Sequence, residues 1–329
     1  MPSKLKLTLT CGDYEIVRPL KEGRIEPDGI DLTMLCATSS RDRHWRLDRN
    51  AECDAGEFNL CGYYMARGRG HPYVALPIFL HRRFRHGFLF VNAAKGITKA
   101  SDLRGGKFGA AGGFLAAACT WLRGTLGEHY GLSHKDVTWY TDRPHDIPFA
   151  KQQGFEIEVL DGGPSIEDRL LAGEIDAMMS AGYPQSLLAG DRRIARLFPD
   201  YKQAEIDYYQ KTKIFPIMHA LIIKQEIVEK HPWVPANLAY AFNESKRMAL
   251  QHLRNPRILP LAFFTAAWEE QSALLGGDPW QYGLGALNRN NVETALRYTY
   301  EQGLIKRQPA LEEVFHPIDE WAWGGTEGF

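Results

Sequence analysis

The sequence predicts an α/β protein of two lobes with mostly parallel sheets, a central cleft and a helical C-terminal extension. Three observations predict it. Strand-like and helix-like segments alternate from the start of the chain, which is the pattern of strands joined through crossover helices. The alternation begins again near residue 107, and Glu52-Cys53-Asp54-Ala55 of the first cycle is echoed by Glu174-Ile175-Asp176-Ala177 of the second. The chain has 329 residues, enough for about two hydrophobic cores.

Taken in order, residues 5–10 alternate apolar and polar side chains and read as a strand, stopped by Gly12-Asp13. A helical stretch over residues 14–20 follows. Pro27-Asp28-Gly29 is a turn, residues 30–35 form a second strand, and a third lies near residues 55–60. Tyr73-Val74-Ala75-Leu76-Pro77-Ile78 and Phe88-Leu89-Phe90-Val91 read as buried strand on either side of a basic run. In the second cycle, residues 107–110 open as a strand, Ala111-Gly112-Gly113 is its turn, residues 115–126 form an Ala-rich helix and residues 136–141 a further strand. Residues 228–302 are mostly helical by pattern. A chain that leaves the first lobe, makes the second and returns puts residues 1–91 and 200–329 in lobe one and 92–199 in lobe two, with the ligand site expected in the cleft between them.

Composition narrows the function. Apolar residues make up 44% and charged residues 24% of the chain, and 39 Lys and Arg stand against 40 Asp and Glu. That is an ordinary globular balance without the broad basic field of a nucleic-acid binder. The longest apolar run, residues 258–268, is too short to cross a bilayer, so no membrane partner is expected. Residues 1–10 carry no signal-peptide core. Five cysteines without Cys-x-x-Cys spacing argue against a disulfide framework and a zinc site, so reduced, mostly buried thiols and a cytoplasmic setting are expected. No phosphate-binding loop, His-Glu-x-x-His or Gly-x-Ser-x-Gly is present. No cofactor and no metal are expected.

Within the basic run Phe79-Leu80-His81-Arg82-Arg83-Phe84-Arg85-His86-Gly87, an extended backbone puts His81, Arg83 and Arg85 on one face and Arg82, Phe84 and His86 on the other. Arginines flanked by core segments call for an anion, against the plainer reading of a solvated surface. In open α/β lobes ligands meet the loops after the strands. Those loops hold Gly12-Asp13-Tyr14, then Thr38-Ser39-Ser40-Arg41-Asp42-Arg43-His44, then Glu57-Phe58-Asn59. In the second cycle they hold Gly112-Gly113-Phe114 ahead of a helix, and Asp142, Arg143 and His145. Each has an ordinary alternative: Ser39 and Ser40 as helix caps, the glycine pair as packing, Glu57 as an ion-pair partner, Arg143 as surface and His219 as a core histidine.

The runs Cys11-Gly12-Asp13-Tyr14, Gly23-Arg24-Ile25-Glu26-Pro27-Asp28-Gly29-Ile30-Asp31-Leu32, Phe84-Arg85-His86, Asp102-Leu103-Arg104-Gly105-Gly106-Lys107 and Gly173-Glu174-Ile175-Asp176-Ala177 resemble the 4,5-dihydroxyphthalate decarboxylases. These look like relatives of the periplasmic binding proteins of the two-lobed type II, and the resemblance runs from Leu5 to about Trp323. It implies non-oxidative loss of one carboxylate from a dihydroxylated aromatic dicarboxylate in aromatic degradation, giving 3,4-dihydroxybenzoate and carbon dioxide. Protonation of the ring carbon and deprotonation of the para hydroxyl need an acid and a base near neutrality, and histidine fits. On that reading Arg83 and Arg85, with Arg41 or Arg43, clamp the carboxylates. His86 or His81 moves the proton, and Glu57 is a second acid or base. Ser39, Gly112, Gly113, Arg143 and His219 are further substrate contacts. Two other readings are a non-catalytic solute-binding protein for an aromatic acid and a different lyase on the same scaffold. Trp280, Tyr282, Trp321 and Trp323 of the helical tail serve either a contact in a homo-oligomer or the core.

Overall fold

A computed structural model describes residues 3–36, 39–143, 155–160 and 162–324. Among these the strands are, in chain order, β1 (Leu5–Cys11), β2 (Ile30–Cys36), β3 (Ala55–Asn59), β4 (Tyr73–Arg82), β5 (Leu89–Asn92), β6 (Lys107–Ala111), β7 (Thr138–Thr141), β8 (Ile157–Val159), β9 (Ala177–Ser180), β10 (Ile194–Arg196) and β11 (Ile217–Lys224). They form two sheets, ordered β2-β1-β3-β11-β4 and β10-β5-β9-β6-β7-β8. The chain divides into two compact units, one of Met1–Arg82, Ile217–Val292 and Pro309–Phe329, the other of Arg83–Pro216 and Glu293–Gln308.

The first sheet has a parallel part, β2-β1-β3. The helix Ser40–Asn50 lies between β2 and β3 in the chain, the length of connection a parallel pair needs. β11 then runs antiparallel to both β3 and β4. The second sheet repeats this plan. β7-β6-β9 are parallel, β5 is antiparallel to β9 and β10 antiparallel to β5, and β8 adds one parallel strand outside β7. The echoed tetrapeptides hold equivalent places. Asp54 accepts the Thr8 N–H of β1 at 2.9 Å, and Asp176 accepts the Lys107 N–H of β6 at 2.6 Å. In each case the following alanine opens the neighbouring strand.

Two expectations change. The units divide at Arg82/Arg83 and Pro216/Ile217 instead of near 91 and 200, because β5 pairs in the second sheet and Gly87 is bonded by Glu205 of the helix Tyr201–Thr212. The extended backbone expected through His86 stops at Arg82, which pairs with Ile217. The residue before Ile217 is Pro216, which has no N–H to extend the ladder; its carbonyl instead takes the Arg83 N–H at 3.0 Å. His86–Phe88 then closes into a 3-10 turn.

The cores are apolar strand faces. The first unit buries Leu7, Leu9, Leu76, Ile78, Leu221 and Ile223; the second buries Phe90, Phe108, Trp139 and Met178. No described helix is long and apolar enough to cross a membrane. Of the aromatic residues in the tail, Tyr282 is buried and Trp321 is exposed.

Candidate active site

The middle of β3 carries a carboxylate where a strand interior normally carries an apolar side chain. Glu57 has no exposed surface, and its two oxygens are bonded by four donors. Oε2 accepts the Gly12 N–H at 2.7 Å and an Arg43 Nη2–H at 2.8 Å. Oε1 accepts the Tyr14 hydroxyl at 2.7 Å and lies 2.5 Å from His219 Nδ1. Burial pushes the Glu57 carboxyl up, but the His219 charge and hydrogen bond, with the charges of Arg43 and His44, more than offset it and leave it well below the usual carboxylate range. The Arg43 charge and the Gly12 and Tyr14 donors act on the carboxylate with the imidazole neutral as well, so Glu57 is ionised at neutral pH. Burial, then the Glu57 charge, pushes the Tyr14 phenol up, so Tyr14 stays protonated and donates.

Local structure explains why these groups meet. Gly12 follows β1, and a Cβ there would run into the Tyr14 ring; the bare glycine lets Tyr14 fold back over the strand end and reach Glu57. The helix Ser40–Asn50 buries Arg43 and Leu47, which sets the guanidinium against β3. His219 of β11 sits opposite Asn59 of β3 on one side and His81 of β4 on the other. The β4–β11 ladder is irregular on both sides of that histidine pair, and such bulges re-aim side chains next to active sites. The His219 ring lies 4.7 Å from His81 and 4.8 Å from His44, both edge-on, and Tyr14 stacks on His81 at 6.1 Å.

Of the residues expected from sequence, the structure brings together Glu57, Arg43, His219 and His81, all in the first unit. It adds Gly12, Tyr14 and His44. Their signal lies in the loops after β1 and β2, in Gly12-Asp13-Tyr14 and in His44 beside Arg43. Ser39 caps its helix by accepting the Asp42 N–H at 3.4 Å, and Arg41 is exposed on the same helix. Arg82 is buried against the Gln281 carbonyl and Asn288.

Arg83, Arg85, His86, Gly112, Gly113 and Arg143 belong to the second unit. Arg83 is exposed, its guanidinium 5.0 Å from the Phe88 ring. Arg85 is buried; burial and the Arg83 charge pull its pKa down to about 9, so it stays charged at neutrality. His86 is enclosed by Phe198, Tyr208 and Tyr130 at 5.2, 5.4 and 5.6 Å. Burial, with a smaller push from His129, lowers its pKa to about 4. Gly112 and Gly113 have φ of +117° and +106°, and a Cβ on Gly113 would sit 3.0 Å from the Arg143 side chain. Thr38 and His145 lie outside the described residues. Among the described residues no group of three or more His, Cys, Asp or Glu side chains is arranged to hold a metal ion.

Chemically, the cluster is a carboxylate-backed imidazole. With Nδ1 bonded to Glu57, His219 is fixed in one tautomer and ring orientation, and Nε2 is the nitrogen left to exchange a proton.

No protein-family model matches the chain. The two-unit fold is that of the periplasmic binding proteins: the aliphatic sulphonate binding protein of Escherichia coli superposes with a TM-score of 0.56 at 12% identity, covering 96% of this chain and 93% of its own. A 4,5-dihydroxyphthalate decarboxylase of Pseudomonas putida is 29% identical over 215 residues, 63% of this chain and 83% of that protein. The 4,5-dihydroxyphthalate decarboxylase of Comamonas testosteroni is 32% identical over 324 residues, 96% of this chain and 97% of that protein. Identity at that level over nearly the full length of both proteins goes beyond a shared scaffold, and the chain belongs to the 4,5-dihydroxyphthalate decarboxylase family.

Proposed function

We propose that this protein removes one carboxylate from 4,5-dihydroxyphthalate without oxidation, releasing carbon dioxide and 3,4-dihydroxybenzoate, and that the Glu57 cluster moves the protons. The observation that carries the reading is a fully buried, ionised carboxylate bonded to His219 Nδ1. The fold itself does not require it. Matching Ala55 of β3 to Ala177 of β9 puts Glu57 opposite Met179 in the repeated plan, and Met179 is equally buried. A buried charge kept where an apolar side chain serves the same sheet position points to chemistry.

Carbon dioxide departs with its bonding electrons left on the ring, so the ring carbon must be protonated as they arrive. His219 Nε2 takes the proton of the hydroxyl para to the departing carboxylate, and Glu57 stabilises the imidazolium that forms. His81, whose ring lies edge-on to that of His219 at 4.7 Å, delivers a proton to the carbon. Loss of carbon dioxide and return of the phenolic proton restore the aromatic ring. Arg43 holds Glu57 ionised and is not free to take substrate; Arg41, exposed on the same helix, is the guanidinium proposed for the retained carboxylate. A firm grip on the departing one would stabilise the ground state and slow its loss. Five cysteines held as thiols fit a cytoplasmic setting.

The test is incubation with 4,5-dihydroxyphthalate, following carbon dioxide and 3,4-dihydroxybenzoate together. Binding without release would identify an aromatic-acid receptor. Absence of binding would mean a different ring or a different lyase reaction.

A further inference from the structure

The parallel register of β1 and β2 sets Cys11 opposite Cys36, with their sulfurs 3.7 Å apart. Neighbouring strands lie ~4.8 Å apart, within the Cα separation of about 4.4 to 6.8 Å that a disulfide spans. A separation in that range lets the sulfurs close from 3.7 Å to about 2.05 Å by side-chain rotation with a small shift of the Cys11 backbone. The two thiols differ in access: Cys11 is fully buried, whereas Cys36 is half-buried at the end of an edge strand. Their ionisation differs too. Cys36 is lowered by the hydrogen bond from Cys11, against burial and with help from the Lys21 charge, while Cys11 is raised by that bond and by burial.

We propose that Cys36 and Cys11 form a modification site for hydroperoxides, oxidised to a disulfide between β1 and β2. The Cys36 thiolate attacks the outer peroxide oxygen. The O–O bond breaks, the alcohol leaves (water, for hydrogen peroxide), and a sulfenic acid remains on Cys36. The Cys11 sulfur then attacks that sulfur and displaces hydroxide, which departs as water with the Cys11 proton. Two electrons pass from the thiol pair to the hydroperoxide, so no further oxidant is needed. The consequence reaches the Glu57 cluster through one residue. Gly12 follows Cys11 and donates to Glu57 Oε2 at 2.7 Å, so drawing Cys11 toward Cys36 disturbs that bond.

The whole protein is treated with hydrogen peroxide, free thiols are alkylated, and peptides are mapped without reductant. The expected product is a Cys11–Cys36 linked peptide pair that dithiothreitol separates. Cys36 is consumed at least about tenfold faster than Cys53, Cys61 or Cys119, because a more ionised, accessible thiol reacts first. In Cys11→Ser, Cys36 should persist as a sulfenic acid trapped by dimedone; in Cys36→Ser, Cys11 should stay reduced. Recovery of Cys11 and Cys36 as alkylated thiols while other cysteines oxidise would overturn the proposal, as would Cys36 reaching sulfinic acid with Cys11 still free. This readout needs no turnover, so it stands or falls separately from the substrate assigned above. Where the linked peptide forms, turnover of 4,5-dihydroxyphthalate should fall at least about tenfold and recover with dithiothreitol; linkage with unchanged turnover would uncouple Gly12 from the oxidation.

Discussion

Glu57 serves the site by holding its charge. Arg43, Tyr14, Gly12 and His219 occupy both oxygens, so its role is to orient and stabilise His219 while the imidazole carries the proton. His219→Ala should lower turnover by roughly a hundredfold to ten-thousandfold, the span of general acid–base catalysis, while Glu57 keeps Arg43 as its counter-ion. Carbon dioxide release close to that of the parent protein would remove His219 from the mechanism. Glu57→Gln should lower turnover as well and, by leaving the buried Arg43 without a counter-charge, destabilise the fold by about 3 to 5 kcal/mol in denaturant titrations. The sign of the pH dependence follows from the depressed carboxyl. Folded Glu57 binds fewer protons than unfolded, so its contribution is complete above the unfolded pKa, about 4.3, and is lost as pH falls toward the folded value. His86 acts in a higher window. With a folded pKa of about 4 against ~6.5 unfolded, its contribution is present above the unfolded value and lost as pH falls, by about 3 kcal/mol in all. Glu205, raised to about 7 mainly by burial, has the opposite sign: the folded state holds the extra proton, and stability falls as pH rises toward 7. Denaturant titrations between about pH 5 and 6.5 should therefore show the stability of His86→Phe falling with pH, because Glu205 is left unopposed. An unchanged slope would mean that His86 is not held neutral.

At the scale of elements, three adjacent strands and one helix build the site, and they were unequally legible. The strand near residues 55–60 is expected and β3 lies there, but alternation cannot announce that a glutamate faces the interior when four donors wait for it, two from the loop after β1, one from a helix and one from β11. The basic run departs from the extended backbone expected of it for a physical reason. Alternation holds only while a ladder holds the backbone extended, and Pro216 ends the β4–β11 ladder at Arg82. The ladder therefore delivers His81 and Arg82 to the first unit and leaves Arg83, Arg85 and His86 in the second. The polar residues of Ser40–Asn50 suggest a ligand loop; the segment is a helix whose buried face delivers Arg43, with His44 beside it. Ser39 separates the two readings of that segment. As a cap with a 3.4 Å bond it contributes about 0.5 to 1 kcal/mol, so Ser39→Ala should lower the melting temperature slightly and leave KM unchanged. A several-fold rise in KM at unchanged stability would make it a substrate contact after all.

The whole molecule is one strand plan used twice, visible in the sequence as the repeated Glu-x-Asp-Ala and in the structure as matching strand orders and senses. What local patterns could not show is how far the chain interleaves the two copies. Residues 293–308 come late in the chain yet belong to the second unit. The reason is a buried arginine. Arg123, 1% exposed, donates to Gln302 at 2.6 Å and to the Phe114 carbonyl at 2.9 Å, while Gln302 donates to the Thr120 carbonyl at 2.9 Å. Tyr298 packs edge-on against Trp121 and donates to Glu128 at 2.6 Å. Without that segment, the Arg123 guanidinium loses a neutral acceptor, Thr120 its donor and Trp121 its cover. Leaving a buried charged donor short of partners costs more than the average hydrogen bond contributes. The continuous fragment 83–216 should therefore melt without a cooperative transition, and adding a peptide of residues 293–308 should restore one with saturable dependence on its concentration. A fragment that melts cooperatively alone, at the temperature of the full chain, would show that the second unit is complete without the returning segment and that Gln302 is an accessory to Arg123.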